Sequence, residues 1–249
     1  MVESSSTCRR DGSVARTEIS LLEMLQGVIE RTYDLQTGVR DIGRYVIGDE
    51  GYRRIYGAGR DARLSVGAGA PPYGWRASTL VRQSGEGLAL SIYYPDELIA
   101  CLERHHPTRR LDEENVEAFS VLVEELDHFL MIVERFRCRV SCSLLELELH
   151  ANITKHLMLN LFVTRMRGAG RLDPDDAAWI DWQLYHRREF SDPDREVRER
   201  YRHAGRLAAR YMGWLAGVPP VRRPSELRRF HRLAPQRKVA WIQSLAPAA

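Results

Sequence analysis

The sequence predicts a predominantly helical α+β protein, in which a small N-terminal β-hairpin or sheet packs with a C-terminal multi-helix bundle. The run from Ser78 to Gln83 alternates in the manner of a strand, and a second run, Leu88 to Tyr94, follows a Ser-Gly-Glu-Gly turn. From Pro95 onward, apolar residues recur at helical spacing instead. Because a lone hairpin is only marginally stable in water, these strands need helices or further strands to cover them.

A first helix is predicted ahead of the hairpin. The segment Ser20-Leu21-Leu22-Glu23 has the spacing of a capping box, in which serine and glutamate side chains bond free amides at a helix start. Apolar residues follow at helical spacing to about Tyr33. Short strands near Tyr45 to Ile47 and Ala62 to Val66 are expected to complete a small sheet.

Capping signals divide the helical half into segments. Ser143 and Glu146 repeat the capping-box spacing, and Asp173-Pro174 and Asp192-Pro193 each place a capping residue before a proline at the first helical position. The predicted helices span residues 96–105, 112–136, 143–166, 174–189 and 194–216, followed by a helical tail from Ser225 to Leu245.

Length and composition bound the domain organisation. In a chain of 249 residues we expect a disordered tail over residues 1–18 and one globular domain over residues 19–249. Within that domain, residues 19–94 form the α+β part and residues 95–249 the helical part. No run of about 18 apolar residues argues for a membrane span, and four scattered cysteines do not suggest a disulfide framework. The sequence therefore predicts a soluble, cytoplasmic protein.

The predicted helix 112–136 divides into faces at about 100° per residue. Glu125 and His128 are spaced i, i+3 in a partly apolar sector, so packing on both sides of the helix would bury them together. A polar side of the helix collects Glu117, Glu124, Asp127, Glu134 and Arg135.

The Glu-x-x-His pair at Glu125 and His128 resembles half of the ligand set of ferritin-like di-metal proteins, and the resemblance implies a divalent metal as cofactor. A second instance, Glu103 and His106, ends against a proline, and the order of candidate ligands along the chain departs from the family pattern. In the alternative interpretation, Glu125 pairs with an arginine of a neighbouring helix and His128 is an ordinary, partly buried histidine.

The predicted helix 143–166 is apolar around nearly its whole circumference, which is typical of a core helix. Glu148, Asn152 and Lys155 share one stripe, with His156 beside it, and lose hydration unless partners replace it. They either form a buried network that fixes helix packing, or line a pocket with the polar pair of the preceding helix. Asn152 and His156 are candidate binding residues of that pocket.

In the pocket interpretation the protein is a metal-binding or hydrolytic enzyme. His128 serves as metal ligand or general base, the glutamates serve as ligand or acid, and Lys155 stabilises developing negative charge. The candidate catalytic residues are Glu125, His128, Glu148 and Lys155, and the first three are also the candidate metal ligands.

The leading interpretation is a binding or accessory protein. The chain contains no Gly-x-Ser-x-Gly elbow, phosphate-binding loop, dinucleotide fingerprint or His-Glu-x-x-His zinc helix. Between Arg187 and Lys238, fifteen Arg or Lys stand against six Asp or Glu, although the net charge of the chain is only +3. Arg198 and Arg202, continued by Arg206, are candidate contacts to an acidic partner, either a protein or, as the alternative, a nucleic acid. A solvated face paired with nearby glutamates would show the same pattern.

Overall fold

The computed structural model has the predicted fold class, α+β and predominantly helical. The predicted disordered tail over residues 1–18 lies outside the part of the chain that the structure describes. The described residues are 19–56, 65–66, 77–84, 87–168, 170–187 and 193–245.

Helix α1 spans Leu21–Tyr33 and begins as the capping box predicts. The Ser20 hydroxyl accepts a hydrogen bond from the Glu23 amide at 3.2 Å, and the Glu23 carboxylate accepts one from the Ser20 amide at 2.9 Å. The helix ends at Asp34, whose φ of 63° lies in the left-handed region and turns the chain.

The predicted hairpin forms the centre of a four-stranded sheet. Strands β3 (Ser78–Ser84) and β4 (Gly87–Tyr93) pair antiparallel. Strand β1 (Val46–Ile47) is parallel to β4, and strand β2 (Ser65–Val66) is antiparallel to β3, which gives the order β1-β4-β3-β2. The short strands predicted at both places are confirmed.

Helix α2, Asp49–Tyr56, is a finding that the sequence pattern does not predict. Acidic residues in its first turn and arginines in its last turn suit the helix dipole. Tyr52, Ile55 and Tyr56 have the spacing i, i+3, i+4, but eight residues cover only about two turns, too short a window for a periodic pattern to stand out.

The helical half follows the predicted order of elements. Residues 112–115, predicted as the start of a long helix, form a turn, because the Asn115 side chain bonds the backbone of His105, Arg110 and Asp112. Among the described residues, no helix is long and apolar enough to cross a membrane. The helices are α3 (Asp96–Arg104), α4 (Val116–Arg137), α5 (Leu144–Arg167), α6 (Pro174–Asp181) and α7 (Arg195–Gly217).

Two predicted helices are interrupted. Helix α6 gives way to a π-helical turn, Trp182–His186, instead of continuing as an α-helix to residue 189. The predicted tail is two helices, α8 (Arg223–Arg232) and α9 (Pro235–Ser244). Leu233 between them is extended, with ψ 145°, and the proline that follows has no amide hydrogen to lose at a helix start.

The core forms where α1, the sheet, α4, α5 and α7 meet. Helix α5 is buried on nearly every side, as its apolar composition predicts. Charged and titratable side chains of both long helices are buried with it. They are Glu125, Asp127, His128 and Glu134 of α4, and Glu146, Glu148, His150 and Lys155 of α5.

Candidate functional site

The polar pair predicted on α4 and a carboxylate predicted on α5 meet in the core. His128 Nδ1 lies 3.8 Å from Glu125 Oε2, and His128 Nε2 lies 3.8 Å from Glu148 Oε2. The three side chains are 4% exposed or less. Glu125, His128 and Glu148 are called the His128 cluster below. The structure therefore brings three of the predicted site residues together.

The sheet holds Glu125 in place. The hydroxyl of Thr79 on β3 lies 2.8 Å from Glu125 Oε2 and 2.9 Å from the Glu125 carbonyl oxygen. Thr79 is completely buried, and its β-branched side chain has few rotamers. The Glu125 carboxylate consequently has a fixed orientation beside one edge of the imidazole. The sequence analysis does not identify Thr79 as part of the site.

Within the described part of the chain, both edges of the His128 imidazole, and the Glu148 carboxylate that faces one of them, lack hydrogen bonds. Among the described residues, neither ring nitrogen of His128 and neither carboxylate oxygen of Glu148 has a hydrogen-bond partner. Buried polar atoms are nearly always hydrogen-bonded in native proteins, and each one left unpaired costs about 1–3 kcal/mol. Closer approach of the two groups, which lie 3.8 Å apart, would remove this cost.

The His128 cluster raises the pKa of two ionisable groups, and only that of Glu148 moves toward neutral pH. Burial raises the pKa of Glu148 to about 7, although the charge of His128 opposes this. Burial alone would lower the pKa of His128, but the Glu125 and Glu148 carboxylates outweigh it and raise that pKa to about 9. At pH 7 the imidazole is therefore protonated and Glu148 exchanges readily between its two forms.

Lys155, predicted as the cation of the site, pairs with Glu124 next to the His128 cluster. Its Nζ lies 2.5 Å from Glu124 Oε2, and its side chain is 3% exposed. Tyr201 of α7 is influenced by the same carboxylates: burial, followed by the charges of Glu148 and Glu124, raises the pKa of its phenol. The sequence pattern does not indicate this relation of Tyr201 to the site.

Asn152 and His156, predicted as binding residues, make other contacts. Asn152 Nδ2 donates to the carbonyl oxygen of Glu148, one turn earlier in α5, at 2.7 Å. His156 Nδ1 lies 3.2 Å from the Tyr185 hydroxyl and 3.6 Å from Asp181 Oδ1. Burial lowers the pKa of His156 to about 4, so this imidazole is neutral at pH 7. His156 belongs to the contact of α5 with the π-helical turn and its flank.

The geometry does not fit the predicted metal ligand set. An imidazole binds one metal ion through one ring nitrogen, whereas Glu125 and Glu148 lie at opposite nitrogens of His128. The three side chains therefore do not surround one point. Within the part of the chain that the structure describes, no group of three or more His, Cys, Asp or Glu side chains is arranged to hold a metal ion.

A second buried network joins α4 and α5 to α8. His150 Nδ1 lies 2.9 Å from Asp127 Oδ2, His150 Nε2 lies 3.2 Å from His231 Nδ1, and His231 Nε2 lies 2.7 Å from Glu134 Oε2. These four residues are called the His150–His231 chain below. Thr154 extends it by donating to Asp127 Oδ1 at 2.7 Å.

The His150–His231 chain corrects the assignment of Asp127 and Glu134 to the polar side of α4. Asp127 is 0% and Glu134 8% exposed, because α5 and α8 cover this face and supply histidines to both carboxylates. The helical period of α4 gives no information about a partner 97 residues further along the chain. The sequence contains one indication of a buried partner for Asp127. His150 is a polar residue in a helix that is apolar around nearly its whole circumference.

Lys238 of α9 forms a further buried ion pair. Its ammonium group and the Arg135 guanidinium both contact Glu146 Oε1, the latter at 2.8 Å. The Ser143 hydroxyl accepts a hydrogen bond from the Glu146 amide at 3.1 Å, as the capping-box spacing predicts. The Glu146 carboxylate turns to the two cations instead of returning to the backbone of Ser143, so only half of that predicted box forms.

The predicted arginine row on α7 is partly engaged at its ends. Arg198 donates to the Pro193 carbonyl oxygen at 3.1 Å, and Arg210 donates to the Leu245 carbonyl oxygen. Arg202 and Arg206, one helical turn apart, are exposed. The middle of the row is therefore the part that faces solvent.

A cleft of about 410 Å³ lies away from the His128 cluster, between the segment that precedes α4, the end of α5, and α6. Three arginines and three carboxylates line it, so its walls have no strong excess of charge. Its charged and aromatic lining residues are Arg109, Arg110, Arg167, Asp112, Glu113, Asp176 and Trp179.

No family model matches the chain, and no curated protein or solved structure matches it either. The basis for a functional proposal is consequently the chemistry of the side chains described above.

Proposed function

We propose that the protein is an enzyme that performs acid–base chemistry on a small polar substrate at the His128 cluster. The observation that supports this is the set of four buried atoms, on His128 and Glu148, that lack hydrogen-bond partners in the described structure. Polar groups that remain unpaired in a core are candidates for contact with a ligand or a transferred proton. Hydrolysis is the reaction class that a carboxylate beside an imidazolium suits.

In the proposed reaction, Glu148 takes a proton from water or a substrate hydroxyl and returns it to the leaving group. A pKa of about 7 allows both transfers at neutral pH. His128 is protonated and stabilises the negative charge that develops beside it. Glu125, fixed by Thr79, is a positioning residue that orients the imidazolium. Lys155 forms an ion pair with Glu124 at the edge of the cluster and influences the cluster through that carboxylate.

The enclosure of the His128 cluster restricts what it binds. His128 is 0% and Glu148 1% exposed, so the group that reaches them is no larger than water or a short polar substituent. Tyr201 of α7 is influenced by the charges of the carboxylates. In this proposal, displacement of α7 relative to α5 admits the substrate.

The experiment is a hydrolysis screen with chromogenic carboxylic esters, phosphate esters and glycosides at pH 5 to 9. Wild type and Glu148→Gln are compared with Glu103→Gln, which changes an exposed carboxylate of α3. A rate that falls about 100-fold or more in Glu148→Gln, and is unchanged in Glu103→Gln, is expected for loss of an acid–base group. Absence of hydrolysis with all three substrate classes, or equal rates in a folded Glu148→Gln protein, would overturn the proposal.

A second candidate function is a binding or accessory role in which α7 contacts an acidic partner. The observation in its favour is that Arg202 and Arg206 are exposed one turn apart within the most basic part of the chain. An acidic protein surface is the preferred partner and a nucleic acid the alternative.

Fluorescence anisotropy with a labelled polyglutamate peptide and a labelled oligonucleotide tests this second function. Binding that weakens with added salt and is lost in the Arg202→Gln, Arg206→Gln double variant supports it. Binding to neither probe at low salt, or binding that the double variant retains, contradicts it.

A further inference from the structure

The His150–His231 chain contains a fixed number of protons. Three hydrogen bonds join Asp127, His150, His231 and Glu134 in a row, and each requires one hydrogen between its two heavy atoms. Two neutral imidazoles supply two hydrogens. The third makes one imidazole a cation, because burial raises the pKa of Glu134 but the hydrogen bond and charge of His231 outweigh it and keep that carboxyl ionised. With these three protons every gap in the row is filled, and a fourth proton has no hydrogen bond to occupy.

A fourth proton would therefore break one of the three bonds. If both imidazoles become cations, His150 Nε2 and His231 Nδ1 are both donors at a separation of 3.2 Å and repel each other. His150 lies on α5 and His231 on α8, so the hydrogen bond between them connects these two helices.

Two cations near the row, Arg135 and Lys238, oppose a further positive charge. Tyr33 of α1 packs its ring 4.2 Å from that of His150, and its hydroxyl lies 2.9 Å from Thr154 Oγ1. Arg135 of α4 donates to the His231 carbonyl oxygen at 3.1 Å. Lys238 of α9 adds a second cation near His231, while Glu146 of α5 neutralises part of both. The only anions in direct contact with the imidazoles among these groups are Asp127 and Glu134.

We propose that the His150–His231 chain is an acid-sensitive latch: it fastens α8, and α9 behind it, to the α4–α5 pair while it holds three protons, and it opens on binding a fourth. This device is separate from the proposed catalytic function and does not depend on it. Its opening would expose the aromatic contacts that Phe230 of α8 and Trp241 of α9 make with Tyr211 of α7.

The direction of the pH dependence follows from His231. Burial, together with the charges of His150 and Lys238, lowers its pKa below the ordinary 6.5, against the effect of Glu134. A histidine with a lowered pKa contributes stability that is complete above the unfolded value and is lost as pH falls through the window below 6.5. The latch is therefore closed at pH 7.5 and weakened at pH 5.5.

Hydrogen exchange with mass spectrometry at pH 7.5 and 5.5, corrected for intrinsic exchange rates, tests the latch in the full chain. In wild type, protection of α8 and α9 is expected to fall about tenfold for one proton bound on opening, while that of α3 stays unchanged. His231→Gln should abolish this pH dependence, and His186→Gln, at an exposed histidine, should retain it. Unchanged protection of α8 in wild type, equal losses in all helices, or a pH response retained in folded His231→Gln would overturn the proposal.

A titration of wild type by NMR of ¹⁵N-labelled histidines remains decisive if His231→Gln does not fold. The His231 signals are expected to change as the pH is lowered below 6.5, and the signal of His150 Nε2 should respond in the same transition because the two nitrogens share one hydrogen bond. Two independent transitions, or imidazoles that do not titrate before the whole protein unfolds, would overturn the latch.

Discussion

The His128 cluster and the His150–His231 chain are both buried between α4 and α5, yet they differ in hydrogen bonding. In the chain, all four imidazole nitrogens have partners at 2.7 to 3.2 Å. In the His128 cluster the imidazole lies 3.8 Å from each carboxylate and has no hydrogen-bond partner among the described residues. Burial therefore accompanies two different states of hydrogen bonding. We propose that the satisfied row holds helices together and that the unsatisfied cluster binds a substrate.

The two networks also respond to pH in opposite directions. The raised pKa of Glu148 means that the folded protein resists its ionisation, so the His128 cluster is most stable in acid. The lowered pKa of His231 means that the His150–His231 chain is most stable at neutral or higher pH. The pH of maximum stability lies where these two effects balance.

The largest expected effect comes from breaking the satisfied network. Asp127→Ala leaves His150 Nδ1 and the Thr154 hydroxyl without their buried acceptor, and should lower the free energy of unfolding by about 3–5 kcal/mol. Urea denaturation measures this loss. Asp41→Ala, which removes a largely exposed partner of Arg44, serves as the control and should change stability by less than about 0.5 kcal/mol. A similar small change for Asp127→Ala would show that the chain does not hold the helices together.

The two lysines offer a paired test of burial. Lys238→Met leaves the fully enclosed Glu146 carboxylate with Arg135 alone and should cost about 2–3 kcal/mol. Lys155→Met should cost about 1 kcal/mol, because the side chain of its partner Glu124 is 13% exposed and gains water. Thermal unfolding of both variants at one pH compares them. A larger loss for Lys155→Met would contradict this ranking.

The pH dependence of the free energy of unfolding tests the contribution of Glu148, which sets the His128 cluster apart from the His150–His231 chain. As pH rises from 4.5 through about 7, ionisation of the buried Glu148 carboxyl should lower the free energy of unfolding by on the order of 2 kcal/mol. Glu148→Gln cannot ionise and should lose this part of the slope. Urea titrations at half-unit pH intervals measure it, and an unchanged slope in Glu148→Gln would count against the raised pKa.

The smallest effect is expected at the exposed arginines. The double substitution Arg202→Gln, Arg206→Gln should change the free energy of unfolding by less than about 0.5 kcal/mol, because both side chains are exposed on α7. Urea denaturation measures this change in the free energy of unfolding. The changes measured for substitutions of buried residues are compared with it. A loss above about 1 kcal/mol would mean that these arginines stabilise the fold instead of facing a partner.

Much of the fold and one side of the site follow from local patterns. Apolar residues on every side of α5 predict its burial, and the spacing i, i+3 on α4 predicts that Glu125 and His128 share one face. A helix fixes the relative positions of residues three or four apart, so local spacing is sufficient for both predictions. The role of Glu125, His128 and Glu148 as a site stays a prediction.

The missed residues come from elements distant in the chain. Thr79, Tyr201 and His231 reach the two networks from β3, α7 and α8, and no periodicity within α4 indicates which element will cover each face. Asp127 shows the same limit, since it is adjacent to His128 in sequence but bonds α5 on a different side of α4. Local spacing identifies a face, and tertiary packing decides its partners.

The burial of both lysines gives the protein an unusual response to amine-directed reagents. The chain has only Lys155 and Lys238, and they are 3% and 1% exposed in ion pairs. An acylating reagent that reaches either side chain therefore reports that a helix has separated from the core. Modification of Lys238 follows the release of α9, and modification of Lys155 follows the opening of α4 from α5, so that two acylation sites read out two local motions in one experiment.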